Sequence, residues 1–214
     1  MKKYFAFCIS IPLLLAACSK DLAIPEPQII YPNYTPMTVG SYWVYDWYKV
    51  DASGNTIQQL SETDSVYIAG DTIIGTDTFA IQVGTWFGGA FSPPFRNYLR
   101  NLNGDLVSPS GAIGFSATNY IDTFYIWNPG NGQTMGYRKM IDIGEIVTVP
   151  VGTFRTLNAA YIVVNLVGTW PCIGIYDIHD NQYAENIGLV RTSFQFVGSC
   201  EVFEGRLRTY YIAP

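Results

Sequence analysis

Histidine is almost absent from this sequence, whose 214 residues include only His179. A Ser-His-Asp or Cys-His catalytic group would have to use that one side chain, and no serine lies in a nucleophile-elbow context. A zinc site would have to combine cysteine with carboxylate ligands. We therefore expect no catalytic residue, no metal site and no cofactor, and we interpret His179 as the histidine of an exposed loop.

Positive charge is scarce as well. The chain has 12 Lys and Arg against 17 Asp and Glu, for a net charge of −5. Proteins that bind nucleic acid, or that bind a membrane through a polybasic face, cluster Lys and Arg on one surface. The composition therefore argues against a nucleic-acid partner.

A sustained helical pattern is also missing, because no window repeats apolar residues at i, i+3 and i+4. From Val39 onward, short alternating runs are separated by Gly, Pro and Asn, which is typical of antiparallel strands. Asn103-Gly104 is the strongest hairpin signal, and Gly70-Asp71 also predicts a turn. The pattern predicts a mainly β fold: a single antiparallel domain of roughly ten to twelve strands, in a strongly curved sheet or incomplete barrel, with a two-sheet β-sandwich as the alternative.

The one long apolar run lies at the N-terminus, where two lysines precede the nearly all-apolar residues 4–17. Such a run is typical of a secretory signal peptide and is shorter than the roughly 20 apolar residues of a membrane-spanning helix. It ends in Leu15-Ala16-Ala17-Cys18, which matches the lipobox of bacterial lipoproteins, in which the cysteine becomes the acylated N-terminus. The resemblance predicts a signal peptide at 1–17, a lipidated cysteine with a proline-rich tether at 18–37, and an all-β domain at 38–214.

The anchor that this resemblance implies is a set of acyl chains, palmitate among them, on Cys18. Each buried methylene contributes about 0.8 kcal/mol, so several chains together hold a protein at the membrane. The next residue is Ser19 rather than Asp. By resemblance to the sorting rule of Gram-negative bacteria, this implies the outer membrane, on either its periplasmic or its cell-surface face.

Two cysteines remain for the exported domain. Cys8 leaves with the signal peptide and Cys18 is the predicted lipidation site, which leaves Cys172 and Cys200. Two cysteines in an oxidising compartment are expected to pair, so we predict a disulfide between them. A metal site that adds carboxylates to the two thiolates is the alternative.

Three segments combine a glycine with strand-forming residues: VG-x-x-W-x-Y at 39–45, V-x-VP-x-GTF at 147–154, and YA-x-x-IGLV at 183–190. As a set, they resemble a family of small all-β lipoproteins of the Bacteroidetes that has no agreed activity. In each segment, the glycine lets the chain turn and the apolar residues begin a strand. The resemblance implies a common fold over nearly the whole mature domain.

Trp43, Tyr45 and Trp47, which we call the aromatic row, lie on one face of the first predicted strand. Aromatic side chains bury large areas, so this face is expected to be core. The opposite face is aromatic as well, so one face can stay available to stack on sugar rings or to line an apolar cavity. The row therefore supplies the candidate ligand-binding residues. A second apolar cluster flanks a Gly-Pro loop at a predicted rim: Trp86, Phe87, Phe91 and Phe95.

These features predict a non-enzymatic, lipid-anchored lipoprotein of the outer membrane, a binding or envelope-accessory module for an apolar or glycan ligand. Its partners would be the membrane and a lipid, a glycan or an envelope protein. The alternatives are a structural subunit of a surface complex and an envelope hydrolase that uses His179 or a carboxylate pair. Candidates for that pair are Glu145, Glu185, Glu201 and Glu204. The deciding observation is whether the fold encloses an apolar cavity lined by the aromatic row and by residues 154–167.

Overall fold

The structure, a computed structural model, describes residues 29–51, 54–89, 93–128, 130, 132–168, 176–195 and 201–214. Three predictions fall outside these ranges: the signal peptide, the lipidation of Cys18, and the disulfide between Cys172 and Cys200. These stay predictions. Within the described ranges, no helix is both long and apolar enough to cross a membrane.

Thirteen strands and a 3₁₀ turn, Phe87–Gly89, make up the regular structure of the described ranges. The strands are β1 Tyr42–Val50, β2 Thr56–Ile74, β3 Asp77–Gly84, β4 Phe95–Leu102, β5 Asp105–Val107, β6 Ile113–Ser116, β7 Thr123–Trp127, β8 Thr134–Val149, β9 Gly152–Asn165, β10 Tyr176–His179, β11 Asn181–Ala184, β12 Gly188–Gln195 and β13 Val202–Tyr211. The count exceeds the predicted range by one because β10 and β11 form one ladder on β9. They keep the same register and are separated only by Asp180.

Every pairing between these strands is antiparallel, as predicted. The order across the sheet is β6-β5-β4-β3-β2-β1-β13-β12-β11-β9-β8-β7, with β10 also on β9. Asn103-Gly104 joins β4 to β5 in the predicted hairpin, with φ values of 55° and 88°. Those are the left-handed values that a two-residue hairpin turn requires.

The sheet curls until its two ends approach each other without closing. Arg138 on β8 donates from Nη1 to the carbonyl oxygen of Gly114 on β6 at 3.1 Å. The amide nitrogen of Ser116 lies 3.5 Å from the Met140 sulfur. Register shifts in the β1–β13, β2–β3 and β8–β9 pairs increase the bend. The prediction of a strongly curved sheet or incomplete barrel is confirmed, and the two-sheet sandwich is not the architecture.

Residues from all three lipoprotein-like segments meet in one core cluster. Trp43 Nε1 donates to the carbonyl oxygen of Ile187 at 2.6 Å, and the Tyr45 hydroxyl donates to that of Leu189 at 2.8 Å. A Cβ at Gly188 would lie 3.2 Å from Trp43 Nε1, so the glycine gives the indole its space. The cluster includes Trp43, Tyr45, Val147, Val149, Ala184 and Val190. The segments are therefore far apart in sequence but packed together in the fold.

Strand β9 is buried on both faces, as its apolar run predicts. Leu157 and Ala159 pack in a cluster with Phe115, while Ala160 and Ile162, at the alternate positions, belong to another cluster. The first of these clusters also includes Met140 of β8, so it packs β6, at one end of the sheet, against β8 and β9 near the other end.

Residues 33–37, which precede β1, contact the sheet. Thr35 is 3% exposed, and its Oγ1 accepts a hydrogen bond from Asn101 Nδ2 at 3.0 Å. The carbonyl oxygen of Asn33 accepts the amide of Asn186 at 2.6 Å, and Met37 packs against the core. This stretch of the predicted tether thus forms part of the wall described next.

Candidate ligand-binding cavity

Two adjoining cavities open on the concave side of the sheet, with volumes of about 420 Å³ and about 490 Å³. We call them the first and the second cavity. Each falls within the range of about 300–1,000 Å³ that small-molecule pockets occupy. The space between them, which we call the waist, is bounded by six residues that line both: Tyr45, Val66, Phe95, Asn97, Arg138 and Leu189.

The walls of both cavities are mainly apolar, in nearly equal proportion, but different side chains form them. The first is largely apolar, and its other lining residues include Met37, Trp43, Leu99, Leu106, Ile113 and Tyr183. The other lining residues of the second cavity include Thr85, Trp86, Tyr161, His179, Asn181 and Thr192. Of residues 154–167, which the sequence analysis placed at the cavity, Tyr161 is the one that lines it.

The aromatic row lies along the wall of both cavities. Trp43 lines the first cavity, Trp47 the second, and Tyr45 both. They are 4%, 2% and 6% exposed, respectively, so the expectation that they are core residues is confirmed. Their polar atoms are all bonded to the protein, Trp47 Nε1 through a 2.7 Å bond to Asp64 Oδ2. The row consequently contributes only the small part of its ring surface that is not packed in the core to the cavities, and no free hydrogen-bonding group.

The two tyrosines of the wall are neutral at physiological pH. Burial raises the pKa of Tyr45 well above its usual value, with smaller contributions from Tyr183 and Asp64. Burial also raises the pKa of Tyr183, which the charge of Arg138 lowers in part. Neither phenol therefore brings negative charge to the cavities.

We expect Tyr45 to make folding stability fall above about pH 10. Its folded-state pKa lies above the unfolded value, so the unfolded chain loses this proton first. The stabilisation is complete below about pH 10 and is lost as the pH rises toward the folded pKa. Tyr45→Phe should remove this part of the fall in stability at alkaline pH. Near neutral pH, the variant should be less stable than the parent chain by about 1 kcal/mol, because it lacks the hydrogen bond to the carbonyl oxygen of Leu189.

Urea unfolding of the parent and variant chains from about pH 7 to about pH 11 measures both effects of Tyr45→Phe. Tyr67→Phe is the matched control, because Tyr67 lies on β2 and is 44% exposed. If the free energy of unfolding of Tyr45→Phe falls at alkaline pH as much as that of the parent chain, burial of this phenol does not control the pH dependence.

A buried carboxylate holds the chain at the edge of the second cavity. Asp64 is 4% exposed. Besides the Trp47 bond, it accepts hydrogen bonds from Thr85 Oγ1 at 2.9 Å and from the amides of Phe87 and Gly88 at 2.7 and 2.8 Å. These bonds tie the 85–88 segment to β2, because four donors converge on one side chain.

The predicted rim cluster is divided between the core and the cavities. Phe87 is buried with Trp47 and Phe194, whereas Trp86 is 44% exposed and packs edge-on against Phe194 with ring centroids 5.2 Å apart. Phe95 lines both cavities. Phe91 lies outside the described residues.

Arg138 was missed by the sequence analysis, although it is the only charged residue among the six at the waist. It is half-buried, and its guanidinium carbon lies 5.7 Å from the centroid of the Tyr161 ring. The available signal was alternation, which places Gly136, Arg138 and Met140 on one face of β8. Because Arg138 alternates with Gly136 and Met140, it shares the inward face of β8 with them, and its charge is therefore expected inside the domain.

His179 does not lie in an exposed loop, so that expectation was wrong. It is the last residue of β10, where its backbone pairs with Tyr161, and its half-buried ring lies 6.0 Å from the Tyr161 ring between centroids. The β10–β9 ladder fixes its backbone and the Tyr161 ring lies beside its imidazole, so His179 lies in the wall of the second cavity.

The candidate catalytic carboxylates have separate partners. Glu145 accepts a bond from Gln182, Glu201 pairs with Lys49, and Glu204 pairs with Arg206. Glu185 is exposed in the turn between β11 and β12. Among the described residues, no group of three or more His, Cys, Asp or Glu side chains is placed to hold a metal ion.

Comparison with known proteins finds resemblance in structure at low sequence identity. No protein-family profile and no curated protein matches the chain. One similar solved structure is a Bacteroides fragilis protein described as exported, with a YmcC-like fold. It is 16% identical with a TM-score of 0.46, over 86% of this chain and 100% of that one. Another, from Parabacteroides distasonis and described as a lipoprotein, is 17% identical with a TM-score of 0.42, over the same shares of the two chains.

Proposed function

We propose that the chain is a non-enzymatic binding module that holds a small apolar molecule inside its curved sheet, at the outer membrane to which Cys18 anchors it. The observation that carries this proposal is the aromatic row. Its ring surfaces line two adjoining cavities, while each of its polar atoms is bonded to the protein. Apolar ring surface beside unfilled space is a place where a ligand gains hydrophobic and dispersion energy.

An apolar ligand fits this wall better than a glycan does. A sugar brings many hydroxyl groups, each of which costs free energy when it is buried without a partner. The row is also nearly inaccessible from outside, at 6% exposure or less, whereas a sugar-stacking platform must present its rings to solvent. The glycan alternative is therefore the weaker one.

The contacts of the polar candidates favour binding over hydrolysis. A general base must lie within hydrogen-bond reach of the proton that it removes. Three of the four candidate carboxylates are engaged by Gln182, Lys49 or Arg206. Each of these three carboxylates thus has a partner within the protein, and none of those partners is another of the four candidates.

N-phenyl-1-naphthylamine, an uncharged apolar fluorophore, provides the test. The mature chain carrying Cys18→Ser keeps every other residue but cannot be acylated, so no attached acyl chain competes with the probe. We expect a saturable rise in fluorescence with one or two sites per chain and a dissociation constant in the micromolar range. A signal that only increases linearly with probe, without saturation, would contradict the proposal.

A further inference from the structure

We propose that the natural ligand is a single-chain amphiphile with one carboxylate head, and that Arg138 binds this head at the waist while the apolar tail occupies the first cavity. The inference rests on the proposed binding function and adds the chemical class of the ligand. The inference follows from the position of the Arg138 guanidinium, from the groups that this guanidinium contacts, and from the walls of the two cavities that it lines.

Among the described residues, four other arginines each pair with an acidic side chain. Those pairs are Arg100 with Asp77, Arg191 with Glu145, Arg206 with Glu204, and Arg208 with Asp46. Within the described part of the chain, no carboxylate pairs with Arg138, which bonds through Nη1 to the Gly114 carbonyl and faces the Tyr161 ring. A guanidinium has five N–H donors, so most of its donors remain for a ligand or water.

The groups around Arg138 leave its charge uncompensated. Its neighbours at the waist are neutral, and the Asn97 amide is directed to Gln82 Oε1 at 3.4 Å. Asp64 also lines the second cavity, but four donors within the protein already engage its carboxylate. Arg138 and Tyr183 both line the first cavity, where the charge of the guanidinium lowers the pKa of the Tyr183 phenol against the larger effect of burial.

The position of this charge favours an anionic ligand over a neutral ligand of the same shape. An apolar molecule that fills the waist expels the water that solvates the guanidinium, and a desolvated charge without a partner is costly. A carboxylate compensates that loss because it accepts two parallel N–H bonds from arginine. One cation at the junction matches one anionic head, and the largely apolar first cavity matches an aliphatic tail.

Hexadecanoate and hexadecan-1-ol form a matched pair of probes, since they share the chain and differ in the head. Each is titrated as a competitor of N-phenyl-1-naphthylamine on the mature Cys18→Ser chain. We expect hexadecanoate to bind about ten- to a hundredfold more tightly than the alcohol. In Arg138→Gln this preference should vanish while the alcohol still binds. Arg96→Gln is the control, because Arg96 is exposed at the alternate position of β4 and should leave the preference unchanged.

The outcomes separate the two proposals. If the fluorophore and the alcohol bind but the acid has no advantage, or if Arg138→Gln keeps that advantage, the carboxylate inference is overturned and the binding function stands. If none of the three probes binds the parent chain, the binding function itself fails.

A second measurement does not depend on the folding of Arg138→Gln. Hexadecanoate labelled with ¹³C at the carboxyl carbon is bound to the parent chain and titrated by NMR. Pairing with a cation favours the ionised form, so the pKa of the bound carboxyl should lie below that of the free acid. A bound pKa equal to or above the free value would overturn the assignment of Arg138 as the head-group site.

Discussion

Asp64→Ala should lower the free energy of unfolding by about 3–5 kcal/mol. The change leaves the indole N–H of Trp47 and the amides of Phe87 and Gly88 without their acceptor in a region where Asp64 is 4% exposed. Each buried donor without a partner costs about 1–3 kcal/mol. Since whole domains are stable by only about 5–15 kcal/mol, the loss should be plain in a urea titration followed by tryptophan fluorescence.

Asp71→Ala is the matched control for this prediction, because it removes an exposed carboxylate from the same strand. It should change stability by less than about 0.5 kcal/mol. A loss below about 1 kcal/mol in Asp64→Ala would mean that water replaces the carboxylate and that Asp64 does not hold the 85–88 segment.

Asn97→Trp should abolish probe binding while the fold persists. Asn97 is exposed, lies on β4 and lines both cavities at the waist, so a larger side chain there extends into space that a ligand needs. Excluding about four methylene equivalents at about 0.8 kcal/mol each weakens binding by roughly a hundredfold or more. Competition and direct titration with N-phenyl-1-naphthylamine measure the loss.

Arg96→Trp is the control for Asn97→Trp, because it adds the same indole one residue earlier, at the position that alternates away from the cavities. It should bind the probe like the parent chain, and circular dichroism should show both variants folded. Undiminished binding by Asn97→Trp would place the probe elsewhere on the protein and remove the two cavities as the site.

Local alternation was sufficient to predict the elements of this fold. The first strand, the Asn103-Gly104 hairpin and the turn after Val149 are found where the sequence places them. The turn predicted at Gly70-Asp71 was wrong, since β2 continues through it with a shift of register. A glycine in a strand can absorb a bulge as readily as it can begin a turn, and only the pairing partner decides between the two.

The cavity site depends on contacts that no local pattern contains. Whether the aromatic row fills the core or lines a space is set by how far the sheet curls, and thus by contacts between β6 and β8. Arg138 looked unremarkable in a weakly patterned stretch until that curvature placed it opposite β4. The Asp64 bonds likewise join residues 17 to 24 positions apart, beyond the reach of strand periodicity.

The most direct test of the binding proposal is to identify what the full-length protein carries when it is purified from the cells that produce it. Organic extraction followed by mass spectrometry should recover a single-chain carboxylate in roughly equimolar amount from the parent protein and little from Asn97→Trp. Lipid that adheres by chance, or that belongs to the predicted anchor on Cys18, would be equal in the two. Equal recovery from both proteins, or no small apolar molecule from the parent, would contradict the proposal that the curved sheet is a ligand carrier.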